Sequence, residues 1–167
     1  MAHLAYIKIT GSHQGLISSG CNGYDSLGSK GQAAHYDEIT VLQCSHSMAK
    51  RNNIGKFHLP ITIKKYIDKA SPLLVTAFAR QESLECELYF YRTNDKGYNE
   101  KFYIIKLVKA LVAGLSITQP DTKDTVKGEE ELYEELSLSY KDISHEHVNA
   151  GTSGYDFWSD TYGESET

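Results

Sequence analysis

The sequence LECELYFYRT at residues 84–93, followed by NDKG at 94–97 and YNEKFYIIKL at 98–107, decides the fold. Apolar residues recur at every second position of the first segment, which is the period of a half-buried β-strand. The pattern predicts that Leu84, Cys86, Leu88 and Phe90 point inward and that Glu85, Glu87, Tyr89 and Tyr91 point outward. Because NDKG is a turn signal between two such segments, the stretch predicts a β-hairpin.

The rest of the chain repeats this alternation. Further strands are predicted at 5–9, 39–46, 57–64, 111–118 and 132–140. In 57–64, Phe57, Leu59, Ile61 and Ile63 share one face. Pro60 cannot donate to a strand ladder, so this strand is either an edge or begins after Pro60.

One helix is predicted, at about 72–81, with Ser71 as N-cap and Pro72 at the first helical position. About eight strands and one helix predict a mainly β fold, a two-sheet antiparallel β-barrel or sandwich with one flanking α-helix. Residues 1–158 are expected to form a single barrel-like domain, and 159–167 a flexible acidic tail. The glycine-rich segment 11–34 is expected to be a long loop, either functional or disordered.

Charge is divided unevenly along the chain. Residues 121–167 hold thirteen Asp or Glu and three Lys or Arg, a net charge of −10, whereas residues 1–120 carry +5. Either a solvated acidic tail follows a near-neutral domain, or copies attract one another head to tail where the two signs emerge on opposite surfaces. A basic stretch holds Lys50, Arg51, Lys56, Lys64 and Lys65. The overall charge of −5 and the pI near 5.8 argue against a nucleic-acid partner. We therefore expect this stretch to face the acidic region of a neighbouring copy.

No catalytic, cofactor-binding or metal site is predicted. Residues 23–30, GYDSLGSK, approach a phosphate-binding loop, but the lysine does not directly follow the second glycine as that motif requires. His145 and His147 could place two imidazoles on one face of a strand, and a metal would need further ligands. The sequence has no membrane-length apolar run, and its N-terminal residues are not expected to form a cleaved signal peptide. Its three cysteines, Cys21, Cys44 and Cys86, fit reduced thiols.

The chain resembles the Hcp (haemolysin-coregulated protein) family, the tube-forming component of bacterial type VI secretion systems, in its enterobacterial-type branch. The matching stretches occur in the family's order: 15–21 with Asp25-Ser26, His35 with 37–39, IDKASPLL at 67–74, FYRT at 90–93, YEELS at 133–137, and AGTSGY at 150–155 running on to Trp158. Some members of that branch carry a toxin domain fused after the tube domain, and we expect none here.

The resemblance implies a non-enzymatic subunit of hexameric rings that stack into a secreted tube and carry small effectors in the channel. Its partners would be other copies, sheath, baseplate and spike components, and effectors, without nucleic acid or stable membrane insertion. It would assemble in the bacterial cytoplasm and then be secreted without a cleaved signal peptide. The family assigns ring stacking to the loop that holds Ser45, His46, Lys50, Arg51, Asn52 and Asn53. It also leads us to expect sheet edges near the 84–107 hairpin to contact a neighbouring subunit. The alternative is a monomeric β-barrel binding module or effector-like enzyme that uses His145 and His147.

Overall fold

Strands dominate the computed structural model, which describes residues 3–53, 55–126 and 131–158. The strands within these ranges are β1 (Leu4–Gly11), β2 (Gly15–Leu16), β3 (Ile39–Ser45), β4 (Met48–Arg51), β5 (Gly55–His58), β6 (Ile61–Tyr66), β7 (Leu84–Thr93), β8 (Asn99–Thr118), β9 (Tyr133–Ser139), β10 (Asp142–His147) and β11 (Thr152–Phe157). The helices are α1 (Tyr24–Leu27) and α2 (Ser71–Arg80), with short 3₁₀ turns at Gly28–Lys30 and Ala33–His35. The mainly β prediction is confirmed. The predicted tail at 159–167 lies outside the described residues.

The strands form one nine-stranded antiparallel sheet that closes on itself, and a separate two-stranded hairpin, β4–β5. The order β11-β10-β8-β7-β1-β3-β6-β9 returns to β8, because the second half of β8 also pairs with β9. The predicted hairpin is β7–β8, with Leu88 opposite Ile105. Both of its strands have neighbours from the same chain on both sides, so the open edges of the sheet in the described residues lie at β11 and at the two-residue β2 rather than at this hairpin.

β8 is 20 residues long and replaces two separately predicted strands. Its residues 103–108 pair with β10, and its residues 111–118 pair with β9. Between these segments Lys109 adopts a left-handed backbone conformation with φ of 51°. A single such residue bends a strand, and the bend lets β8 leave one partner and join the next.

On β7 the buried face follows the predicted alternation with one exception. Leu84, Cys86 and Leu88 are buried together with inward residues of β1, β3, β6 and β9. Tyr89, predicted to point outward into solvent, is only 8% exposed. The ammonium of Lys101 lies 3.9 Å from its ring centre, and its hydroxyl donates to Glu87. Long polar side chains on the outer face therefore cover an aromatic ring that the alternation alone would leave open.

The face assigned to residues 57–63 changes at Pro60. β6 begins after the proline, as one of the two expectations stated, and Ile61 and Ile63 are buried. Before it, His58 is buried and Leu59 is 46% exposed, the reverse of the prediction. Two strands separated by Leu59-Pro60 occupy the segment, so one alternation cannot extend through it.

The segment 11–34 is ordered and packed rather than an irregular loop. Ile17, Ser18, Cys21 and Asn22 are buried, and the Asn22 amide donates to the Glu38 carbonyl at 2.6 Å. A Cβ on Gly31 would lie 2.3 Å from the Asn22 carbonyl oxygen, so only glycine allows this approach. The many glycines indicate close backbone packing here. None of the helices in the described ranges has the length and apolarity needed to cross a bilayer.

Lys65 corrects the predicted basic surface stretch, because its side chain is fully buried. It lies inward on β6, where its ammonium contacts Glu134 at 2.5 Å, Asp68 at 3.0 Å and the Ser71 hydroxyl at 3.2 Å. Glu134 is also its register partner on β9. Burial raises the pKa of Asp68, and the Lys65 ammonium opposes that shift. This buried ion cluster joins β6, β9 and the start of α2.

We predict that Lys65→Met destabilises the protein by about 3–5 kcal/mol, since it leaves two carboxylates buried without their cation. Glu134→Gln should cost clearly less, because Lys65 keeps Asp68 and each buried charge keeps a partner. Urea unfolding of the two variants measures the difference. Equal losses would contradict the view that one lysine neutralises both carboxylates.

We predict that Lys109→Val lowers the free energy of unfolding by about 1–2 kcal/mol, because a β-branched residue resists the left-handed conformation. Lys109→Gly should remain within about 1 kcal/mol of the parent, since glycine adopts this conformation freely but loses more entropy on folding. Thermal unfolding of both variants is the measurement. A valine variant as stable as the glycine variant would show that the bend does not require this conformation.

Candidate functional site

The β4–β5 hairpin stands apart from the barrel sheet and carries the predicted stacking loop. Met48 pairs with His58 and Arg51 with Gly55. Lys50, Arg51, Asn52 and Asn53 are exposed around its tip. Ser45 ends β3, and His46 lies half-buried at the hairpin base. The six predicted residues thus divide between an exposed basic tip and a base.

The charges at the tip do not stabilise the strand pair that carries them. Lys50 lies directly opposite Lys56, and like charges in a cross-strand pair destabilise it. Arg51 lies with its guanidinium 5.4 Å from the Phe57 ring. Lys56 turns away to Asp156 on β11, with Nζ 2.6 Å from the carboxylate. Lys50 and Arg51 therefore place two positive charges at the exposed tip of the hairpin.

Side-chain contacts hold the hairpin against β11, and the seat is the name used here for the residues that make them: Lys56, His58, Asp156 and Trp158. Nε2 of His58 lies 2.8 Å from the second oxygen of Asp156, so one carboxylate joins both Lys56 and His58. The hydrogen bonds from Lys56 and His58 lower the pKa of Asp156 to about 2. The Trp158 ring stacks on His58 at a centroid distance of 6.0 Å.

Beneath the seat, one buried hydroxyl joins two histidines. Tyr140 Oη lies 2.6 Å from Nδ1 of His58 and 2.7 Å from Nε2 of His46. The network assigns the protons: His46 Nε2–H donates to Tyr140, the Tyr140 hydroxyl donates to His58, and His58 Nε2–H donates to Asp156. This chain of hydrogen bonds crosses from the end of β3 to β11.

His145 and His147 lie on β10, but they do not converge on a common ligand. His145 Nδ1 contacts the Tyr103 hydroxyl at 2.7 Å, and His147 Nδ1 accepts from the Ala150 amide. In the described parts of the chain no group of three His, Cys, Asp or Glu side chains is arranged to hold a metal ion. A pocket of about 220 Å³ beside the hairpin base is lined mainly by apolar groups of Met48, Ile143 and Tyr155, together with His145.

Comparison with known proteins places the whole barrel in one family. The family model described as "Type VI secretion system effector, Hcp" matches residues 6–147. The chain is 32% identical over 166 residues to the "Major exported protein" of Pseudomonas aeruginosa, a match that covers 95% of this chain and 96% of that protein. The chain belongs to the Hcp family.

Solved Hcp structures share its fold. "Secreted protein Hcp3 from Pseudomonas aeruginosa" superposes with a TM-score of 0.84 at 33% identity, covering 95% of this chain and 99% of that one. A crystal structure titled as an Hcp protein gives 0.86 at 32% identity over the same shares. The chain is also 32% identical to "Uncharacterized protein YhhZ" of Escherichia coli, of which the match spans 37%. Assignment to the enterobacterial-type branch stays a prediction.

The sequence pointed to the hairpin tip of this Hcp protein but missed its seat. The hydrogen bond between His58 and Tyr140 joins residues 82 positions apart, and the one between His58 and Asp156 joins residues 98 positions apart. Trp158 stacks on the same histidine. The available signal was weak: a histidine next to a proline break, and a lone tryptophan shortly after an acidic residue. No local periodicity connects them, since only the closed barrel brings the end of β9 and β11 against the hairpin.

We predict that Tyr140→Phe lowers the free energy of unfolding by about 1–3 kcal/mol, since it leaves ring nitrogens of two histidines without their buried partner. The matched control is Tyr155→Phe, the same change at a side chain 67% exposed that donates to Asp142. It should cost well under half as much. Urea unfolding measures both variants, and equal losses would argue against a special role for the Tyr140 hydroxyl.

Proposed function

We propose that this Hcp chain forms hexameric rings that stack head to tail into a tube. The observation that carries this proposal is the position of opposite charges at the two ends of the β6–β9 strand pair. Ile61 of β6 follows the basic hairpin and pairs with Leu138, whereas Tyr66 at the other end pairs with Tyr133. Glu131 lies just before Tyr133, and Asp121 and Asp124 follow Thr118, which pairs with Tyr133. The strands between these ends span about 17 Å.

Opposite charges at opposite ends favour association of one copy's hairpin with the other end of the next copy. Such a contact is heterologous and does not close by itself, so it can continue along an axis. Asp121, Asp124 and Glu131 supply the described negative charge, and Glu131 also contacts Lys30. The same head-to-tail arrangement was one of the two readings of the charge division in the sequence.

Contacts around the ring would use the open edge of β11. This strand pairs with β10 on one side, and Tyr155 and Phe157 are 67% and 49% exposed. An unpaired strand edge with exposed aromatic side chains is a surface that a second copy can cover. Residues 1–158 would then act as one structural tube domain.

In this role the chain has no chemistry to perform. The ring channel would carry small effectors, and the tube would contact sheath, baseplate and spike components before it is exported. Assembly would take place in the bacterial cytoplasm, followed by secretion without a cleaved signal peptide. Support comes from family membership and from the Nδ1 atoms of His145 and His147, which contact the Tyr103 hydroxyl and the Ala150 amide.

We predict that the double variant Lys50→Glu/Arg51→Glu stops ring stacking but leaves single rings. Two charges on each of six subunits, at about 0.3 kcal/mol each, add to about 3.6 kcal/mol per ring junction, or about four-hundredfold in stacking affinity. Light scattering coupled to size exclusion should give six times the 18.7 kDa subunit for the variant, and that mass or a multiple of it for the parent. Electron microscopy then counts stacked tubes.

The matched control is Lys8→Glu/Lys96→Glu, which makes the same change in net charge at exposed lysines outside the hairpin. It should stack like the parent. Adding Asp121→Lys and Glu131→Lys to the hairpin variant should restore part of the stacking, because the two ends become complementary again. Unchanged tubes in the hairpin variant would refute its role in stacking, and a monomeric parent would refute the ring.

A further inference from the structure

A cavity of about 240 Å³ lies at the end of the β6–β9 pair that is opposite to the hairpin. Its walls include Tyr66 at the end of β6, Lys30 from the 3₁₀ turn Gly28–Lys30, and Glu131 just before β9. This cavity is the Tyr66–Glu131 pocket. Glu131 is one of the acidic residues proposed above to meet the next copy, whereas Lys30 and Tyr66 have no part in that contact.

The Tyr66–Glu131 pocket already binds one cationic side chain from its own subunit. The Lys30 ammonium lies 5.2 Å from the centre of the Tyr66 ring and forms an ion pair with the Glu131 carboxylate. An aromatic face attracts a cation through its quadrupole, and a carboxylate attracts it through its charge. The walls of the pocket are therefore complementary to a positive side chain, whether it comes from the same copy or from another.

The contact with Lys30 is one that can be exchanged. The Lys30 and Glu131 side chains are 42% and 52% exposed, so water and salt screen their ion pair, and pairs of this kind contribute little to stability. Lys30 can move into solvent without leaving an unpaired charge buried, because both groups stay hydrated.

Arg51 of a second copy has the chemistry to replace Lys30. In the stacking arrangement proposed above, the hairpin tip of one copy meets this end of the next. In its own hairpin the Arg51 guanidinium lies 5.4 Å from the Phe57 ring. A guanidinium can donate two parallel hydrogen bonds to one carboxylate and can stack on an aromatic ring, whereas an ammonium is a point charge. Arg51 would thus exchange one aromatic ring for another and gain the Glu131 carboxylate.

We propose that Lys30 is an internal competitor of ring stacking: it occupies the Tyr66–Glu131 pocket in the unstacked subunit, and Arg51 of the next copy displaces it when rings stack. This inference rests on the proposed stacking and adds its regulation. Because every junction between two six-membered rings displaces six lysines, Lys30 lowers the affinity of one ring for the next and favours single rings at low concentration.

The variant Lys30→Gln tests this, because it removes the competitor and leaves Glu131 and Tyr66 in place. At about twofold for each of six exposed pairs, the concentration at which half of the rings are stacked should fall about sixtyfold. Sedimentation velocity over a dilution series measures that concentration, and electron microscopy confirms the tubes. Urea unfolding should give the midpoint of the parent, because the Lys30 side chain is exposed.

The matched control is Lys69→Gln, which removes the same charge from an exposed lysine next to the pocket. The Lys69 amide donates to Ser26 on the pocket wall, while its ammonium lies beside Gly20. This variant should change the stacking concentration by no more than a few-fold, because the lysine acts only through screened long-range charge.

A double variant separates competition with Arg51 from a general effect of charge. Lys30→Gln/Arg51→Gln should stack no better than Arg51→Gln alone, since no guanidinium is left to enter the pocket, whereas a general charge effect gives the same gain in both backgrounds.

The outcomes for this inference and for the proposed stacking differ. If the parent stacks but Lys30→Gln stacks no more tightly than Lys69→Gln, or if Lys30→Gln gives the same gain without Arg51, the competitor role is overturned and the stacking stands. If neither the parent nor Lys30→Gln stacks at any concentration, the proposed stacking is refuted and this inference with it.

Discussion

The barrel depends on one strand that serves two sets of neighbours in turn. β8 pairs with β7 and β10 along its first half and with β9 along its second half. The left-handed conformation at Lys109 separates the two halves. If β8 ran straight, β9 would have no partner on that side and the sheet would stay open. Closure fixes both ends of the β6–β9 pair, from which the basic hairpin and the acidic residues Asp121, Asp124 and Glu131 extend.

A buried ion cluster then fixes the register of that pair. Lys65 and Glu134 are direct register partners at 2.5 Å, and both point inward. A slip of one residue would move both charges to the other face and bring their neighbours inside. Two apolar residues in their place would tolerate such a slip more easily. Because Asp68 shares the same ammonium, the start of α2 is tied to the register of the sheet.

Local sequence patterns predict the secondary-structure elements but not where those elements contact one another. The alternation in 84–107 predicted β7–β8, and Ser71-Pro72 placed α2 to within one residue of its observed bounds. The single strand β8 was predicted as two strands, because a bend within one strand and a break between two strands give similar sequence patterns. Lys65 was assigned to the surface because a lysine is almost never fully buried without partners, and its partners are distant in sequence. The tip residues were singled out by the family resemblance together with their charge, whereas the contacts that hold the hairpin form only in the closed barrel.

The way the hairpin is held separates its position from the stability of the barrel. Backbone ladders hold the barrel strands, while Lys56, His58 and Trp158 hold the hairpin through side chains on β11. Contacts of this kind can break locally while the backbone ladders of the barrel stay intact. In the stacking arrangement proposed above, such a subunit would keep one rigid barrel and still adjust the hairpin that would meet the next copy. The side chains that hold the hairpin would then contribute to stacking even though they do not reach its tip.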